Sequence, residues 1–203
     1  MIRAAHANEA EQIADVERHS WPAALAMDAA RICSRLAKFP AGQLVLELDS
    51  AVVAYAAAQR VSAEFFDAHR HTFASLTDHG SISASHVDDG DIYHLIGVGV
   101  APAGRGARVS RKLVDQQIAN ARNLPGVRRI LGVTRPVGLH RQPEIAIEEY
   151  VTLRRDDGGY VDPMLTFHLG AGAKLVEILP AYRPEDVEAL GYGVLIEYPV
   201  NVT

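Results

Sequence analysis

The chain has 203 residues, 48% of them hydrophobic and 22% charged, which is a globular composition long enough to bury a sizeable core. A formal net charge of −5 argues against a general nucleic-acid binder, which would carry a strongly basic face. The single cysteine, Cys33, excludes a disulfide framework and fits a reducing, cytoplasmic setting. No apolar run approaches the roughly 18–20 residues of a membrane span, and charge throughout residues 1–20 speaks against a secretory leader. The nine histidines are scattered without metal-ligand spacing, so no metal site is expected.

In chain order, residues 2–5 read as a short strand. Asn8 reads as a helix cap with Glu11 as its capping-box partner, and Ile13, Val16 and His19 follow at helical spacing. Asp28 caps a second helix that runs to Lys38 and is ended by Pro40-Ala41-Gly42. Residues 43–48 and 52–61 form paired strands joined by a tight Asp49-Ser50 turn. Residues 62–91 are polar with little periodicity, and read as an insertion with one short helix around 63–76. Residues 92–100 are a central strand. A helix over 107–123 turns Val109, Leu113, Val114 and Ile118 inward. A strand at 127–134 follows, then a helix at 144–155 whose Glu144, Glu148, Glu149, Arg154 and Arg155 form a solvated face. Asp162-Pro163 opens a short helix to Leu169, because proline is favoured in the first turn. Strands at 173–179 and 192–199 close the chain. The mixture predicts an α/β or α+β sandwich built as one domain over 1–203, with no internal repeat.

The most informative stretch runs from Ile92 to Arg122: an apolar strand, a glycine- and arginine-rich turn, then an amphipathic helix. Such a turn offers unsatisfied N–H groups and the positive end of a helix dipole to an anion. Arg105, Arg108, Arg111 and Lys112 concentrate positive charge there. A phosphate or pyrophosphate suits it. The alternative is an ordinary strand-to-helix connection with a basic first turn.

The order of elements resembles the GCN5-related N-acetyltransferase (GNAT) superfamily. Val100-Ala101-Pro102 matches its V-x-P step, and Arg105 to Ser110 stands at its coenzyme A pyrophosphate turn, with Arg108 where the first glycine is usual. Phe167-His168-Leu169-Gly170 stands where an acetyltransferase carries a tyrosine acid, so His168 replaces that tyrosine. Leu131 to Arg135, Asp162 to His168, Tyr182 to Asp186 and Gly191 to Ile196 together resemble the GNAT-like decarboxylase domains of polyketide synthase loading modules, of the curacin and gephyronic acid type.

The resemblance implies a mostly antiparallel mixed sheet splayed around a coenzyme A or pantetheine tunnel and flanked by helices. It implies decarboxylation of a malonyl, methylmalonyl or dimethylmalonyl thioester to an acyl starter unit, with S-acyl transfer to an acyl carrier protein as a second activity. The partners implied are that carrier and a malonyl-type coenzyme A thioester, with no resident metal. The ending of the chain soon after its last strand suits a domain cut from a larger synthase. Residue by residue, the resemblance places catalysis on Thr134 and His168, and substrate contacts on Arg183 and, more loosely, Trp21. It places coenzyme A contacts on Val98, Val100, Arg105, Gly106, Ala107, Arg108, Val109 and Ser110.

The chemistry suits these residue types. Loss of CO2 leaves an enolate that needs hydrogen-bond donors and then a proton at C2. Thr134 supplies a hydroxyl. His168, with an ordinary pKa of about 6.5, supplies a hydrogen bond or a proton near neutrality. A strong ground-state salt bridge to the departing carboxylate would oppose reaction, so Arg183 is expected to orient it loosely at the pocket mouth while Trp21 forms an apolar wall. Two competing readings remain: an amine N-acetyltransferase, with Glu47 or a water chain as base, and a non-catalytic coenzyme A-binding module.

Overall fold

The computed structural model describes residues 1–106 and 108–200. The elements are, in order, β1 (Ile2–Ala4), α1 (Ala10–Ser20), α2 (Ala29–Lys38), β2 (Gln43–Leu48), β3 (Ala51–Val61), α3 (Ala63–His69), α4 (Phe73–Thr77), β4 (Ile92–Val100), α5 (Val109–Asn123), β5 (Arg129–Thr134), α6 (Ile147–Tyr150), α7 (Pro163–Leu169), β6 (Lys174–Leu179) and β7 (Gly193–Tyr198). The strands form one sheet in the order β1-β2-β3-β4-β5-β7-β6, antiparallel throughout except for the parallel pair β4–β5.

Local chemistry sets several boundaries. Asp28 accepts the Arg31 N–H at 2.8 Å and opens α2, and Asp162 caps α7 through the Met164 and Leu165 N–H groups. Asp49 and Ser50 both take left-handed backbone angles, φ 48° and 65°, as a tight two-residue hairpin turn requires. From Val52 to Val61 every residue of β3 is buried, because helices cover both faces. On one face Ile13, Val16, Ile32 and Leu36 pack over Tyr55 and Ala57. On the other, Val109 and Leu113 pack over Ala54 and Ala56.

The feature that positions the site is a parting of β4 from β5. The two strands pair from Ile92–Arg129 to Leu95–Gly132 and no further, while Val133 and Thr134 continue against β7. The step coincides with a bulge: Ala57 pairs with Gly97 and Ala58 with Leu95, which leaves Ile96 as an extra residue. A bulge bends its strand and strengthens its twist, so β4 leaves β5 here. The expected sheet splayed between two strands is thus present, with its apex at Leu95 and Gly132.

The sequence expectations differ from the structure in four places. Asn8 is not a cap: residues Ala7–Glu9 form a 3-10 turn, and the Glu9 carboxylate accepts the His6 N–H at 2.6 Å before α1 begins. The segment 62–91 holds two short helices rather than one, because Thr72 starts a new cap by accepting the Ser75 N–H. The helix over 144–155 shrinks to Ile147–Tyr150: Ile147 and Tyr150 are buried at one-turn spacing, and Arg154 instead bridges to Tyr160. Finally, α5 starts at Val109 rather than at 107, with Arg108 in the left-handed region, φ 56°.

Candidate active site

The end of β4 and the start of α5 frame an open cavity of about 600 Å³. Val98, Val100, Arg105, Gly106, Arg108, Val109 and Ser110 all line it, opposite Pro163, Met164 and Phe167 of α7. Ala107, the remaining residue expected here, lies outside the described residues. No acidic residue stands in the first turn of α5, where the helix dipole would favour one. Exposed Arg105, Arg108 and Lys112 stand there instead, while Arg111 is paired with Asp115 at 2.7 Å. A basic first turn opposes the dipole, and a bound anion relieves that opposition.

Val98 and Met164 also line a second, narrower cleft of about 80 Å³ that continues into the gap between β4 and β5. Its walls are largely apolar: Ile96, Gly97, Val98, Val114, Val133 and Ile196 among them. Five polar side chains line it: Thr134, His168 and Trp21, with Gln117 and Arg135. Thr134 ends β5, Trp21 follows α1, and His168 lies in the last turn of α7. The structure therefore brings together three residues spread over nearly 150 positions of sequence.

Their hydrogen bonding is incomplete in a specific way. Thr134 Oγ1 and Trp21 Nε1 are buried and have no partner among the described residues. A buried unsatisfied polar group costs roughly 1–3 kcal/mol, so the Thr134 hydroxyl invites a ligand atom, whereas the Trp21 indole N–H faces the Glu17 carboxylate and opposes the desolvation that raises its pKa. Trp21 reaches its place because β4 alternates glycines: a Cβ on Gly97 would stand 3.2 Å from the indole, and one on Gly99 would stand 3.0 Å from Ser20. His168 Nδ1 lies 2.7 Å from the Tyr198 hydroxyl. Burial pushes the His168 imidazole down to about 4. The ring is therefore neutral at neutral pH, which favours the hydrogen-bonding alternative of the two roles expected of it.

Behind Trp21 lies a cluster of charge. The Arg183 guanidinium donates to the Leu25 carbonyl at 2.7 Å, reaches Glu185 at 3.3 Å and sits 4.1 Å over the Phe73 ring. It is buried and lines two small chambers beyond Trp21, not the mouth of the cleft. Desolvation works against the charge of Arg183 and lowers its pKa. Arg135 faces the cleft beside Thr134, with its guanidinium 5.4 Å from the Trp21 ring. Burial opposes its charge too, but hydrogen bonds and attraction from Asp186 and Glu188 outweigh that and raise its pKa. Glu17, buried and accepting the Met27 N–H at 3.2 Å, is raised by desolvation against the opposing pull of Arg35 and Arg183.

Sequence reasoning passed over Arg135, Asp186, Glu17 and Tyr198. Arg135 and Asp186 were within reach: they end the Leu131–Arg135 and Tyr182–Asp186 motifs, and they pair with each other across 51 positions. Tyr198 carries no local signal beyond its place in an apolar strand. His94 is buried beside Gln59 at 3.1 Å and outside the cleft.

Comparison with known proteins follows from this geometry. The GphF GNAT-like decarboxylase, solved in complex with isobutyryl-CoA, superposes with a TM-score of 0.81 at 31% identity, over 99% of this chain and 100% of that one. The chain belongs to the GNAT-like decarboxylase family. The loading GNATL domain of CurA from Lyngbya majuscula, a further GNAT-like structure, matches at a TM-score of 0.85 and 25% identity over 98% of this chain and 97% of that one. The sheet with its parted strands is accordingly the GNAT fold. Among curated proteins, the probable hydrolase YhcX of Bacillus subtilis is 28% identical over 98% of this chain, and the chain spans 38% of the length of that protein. No protein-family model matches the chain. Among the described residues no helix is long and apolar enough to cross a membrane, and no three His, Cys, Asp or Glu side chains gather to hold a metal ion.

Proposed function

We propose that this GNAT-like decarboxylase family member removes CO2 from a malonyl-type thioester of coenzyme A or an acyl carrier protein, yielding the acyl starter unit of a polyketide. Family membership supports the reaction class. The observation that carries the reading for this chain is the unpartnered buried hydroxyl of Thr134, beside His168 and the Trp21 indole, on a narrow cleft that continues from a basic turn.

In this reading the pyrophosphate or phosphopantetheine phosphate rests on the first-turn amides of α5, with the Arg105 and Arg108 side chains against it. The pantetheine arm passes between Val98 and Met164. The thioester oxygen meets the Thr134 hydroxyl and the His168 N–H. The bond from C2 to the carboxylate carbon breaks, its electrons pass into the enolate, and CO2 leaves along the apolar walls. A proton drawn ultimately from solvent then closes at C2. Each donor aimed at the developing enolate contributes roughly 10²–10³ in rate. The guanidinium of Arg183 is engaged by Leu25 and Glu185, so it shapes the far end of the cleft at a distance instead of gripping the carboxylate. Keeping a strong cation off the carboxylate avoids stabilising the charge that must disappear.

The carrier protein would approach over Arg105, Arg108 and Lys112, whose charge complements an acidic helix. The exposed, unpaired Cys33 fits a reducing compartment such as the cytoplasm. The test is mass spectrometry of malonyl-, methylmalonyl- and dimethylmalonyl-CoA incubated with the protein without an amine. Loss of CO2 by the wild type and not by His168→Ala supports the reading. Intact substrates in all three, with acetyl transfer once an amine and acetyl-CoA are supplied, would replace it by an N-acetyltransferase.

A further inference from the structure

The imidazole of His168 has two nitrogens, and only one can carry the proton in the neutral ring. Nδ1 stands 2.7 Å from the Tyr198 hydroxyl. Tyr198 is 1% exposed, at the end of β7, where its backbone pairs with Ile130 of β5. Among the described residues its hydroxyl has one neighbour within hydrogen-bond distance, and that neighbour is His168 Nδ1. Burial raises the Tyr198 pKa, so the phenol keeps its proton at neutral pH. A buried O–H with one available acceptor donates to it. Nδ1 is then bare of hydrogen, and the ring proton is on Nε2. Phe167 packs edge-on against the imidazole, with ring centroids 4.8 Å apart, which limits its rotation.

We infer that Tyr198 is a positioning residue that fixes His168 as the Nε2–H tautomer and so presents an N–H donor to the cleft shared with Thr134. The role rests on the decarboxylase reading for its purpose, but not for its geometry. A cleft that must stabilise an enolate needs donors at the oxygen. The other tautomer would offer a lone pair from Nε2, repelling the oxyanion and wasting one of the cleft's few polar groups. The charged groups that act on Tyr198 are Arg111 and Asp115 of α5, which pair with each other. In this arrangement the residue that replaces the usual tyrosine acid of the superfamily is itself held by a tyrosine from another strand.

The test uses the full chain labelled with ¹⁵N-histidine, with the His168 resonances assigned by their loss in His168→Gln. At pH 7 the wild type is expected to show Nδ1 as the unprotonated and Nε2 as the protonated nitrogen. Tyr198→Phe keeps the ring and removes only the donor, and a mixture of tautomers is expected. Its kcat for malonyl-type thioesters should fall about tenfold, the worth of one hydrogen bond, with KM unchanged. A wild-type ring protonated on Nδ1, or the same Nε2–H tautomer in Tyr198→Phe, would overturn the inference. Absence of turnover by the wild type would count against the decarboxylase reading alone, because the tautomer is read without substrate.

Discussion

Thr134 and Trp21 line the same cleft, and each carries a buried polar atom, Oγ1 and Nε1, that no described residue satisfies. The Trp21 indole faces the Glu17 carboxylate, whereas the Thr134 hydroxyl is left to meet a ligand, at a cost in stability. Thr134→Val, which keeps the shape of the side chain, should therefore lower kcat by roughly 10²–10³. It should leave the urea midpoint unchanged or raised, since it removes an unsatisfied hydroxyl. Thr134→Ser should retain most of the activity. A Thr134→Val protein with full turnover would remove Thr134 from the chemistry.

The basic turn before α5 separates charge from backbone. Arg108 holds a left-handed conformation, φ 56°, that glycine adopts at little cost. Arg108→Gly should stabilise the fold by up to about 1 kcal/mol while raising KM for coenzyme A thioesters, with kcat unchanged. The KM difference between variant and wild type should shrink as salt screens the contact. Steady-state kinetics at two ionic strengths check this. An unaltered KM would mean that backbone amides alone hold the phosphate.

The Arg135–Asp186 pair is the most buried ion pair near the cleft, with side-chain exposures of 17% and 1%. Removing Asp186 leaves the Arg135 guanidinium with only the more exposed Glu188 carboxylate at 2.8 Å. Asp186→Ala should destabilise the protein by about 3–5 kcal/mol, and adding Arg135→Met should recover part of that loss. Urea unfolding of both variants decides it. Additive losses in the double variant would show that the two side chains are not coupled.

Stability should also depend on pH through two imidazoles, the buried His94 and the half-buried His168. Burial pushes His168 to about 4 and His94 to about 3, against about 6.5 in an unfolded chain. Between those values the unfolded chain binds more protons, so acid favours unfolding. Their stabilising contribution is complete above pH 6.5 and falls as pH drops toward 4 and 3. His94→Gln should show a shallower decline in unfolding free energy between pH 7 and 5 than the wild type. Equal slopes would mean that His94 is not buried as the neutral ring.

Much of the frame was legible because it rests on local rules. Asp28 and Asp162 are caps wherever they sit before a helical run, and Asp49-Ser50 between two apolar runs makes a hairpin. The run from Val98 to Ser110 reads as a phosphate turn because its glycines and arginines are neighbours in sequence. The segment 144–155 was misread as one helix because its buried residues, Ile147 and Tyr150, satisfy helical spacing over a single turn.

Arg183 shows the other side of the matter. Its motif flagged it, but nothing local shows that its guanidinium reaches Leu25, 158 positions away, and so lies behind Trp21 and not at a mouth. The partnership of His168 with Tyr198 spans 30 positions and joins a helix to the last strand.

The sequence by itself determined most of the elements and their order, because capping and turn chemistry act over a few residues, and its resemblance to a known family supplied the candidates Thr134 and His168. Only the tertiary structure decided which atoms lack partners, which nitrogen of His168 meets Tyr198, and where β4 leaves β5. Those depend on burial and on contacts between distant segments, and free energy of that kind is set by the packed whole and not by any neighbouring residues.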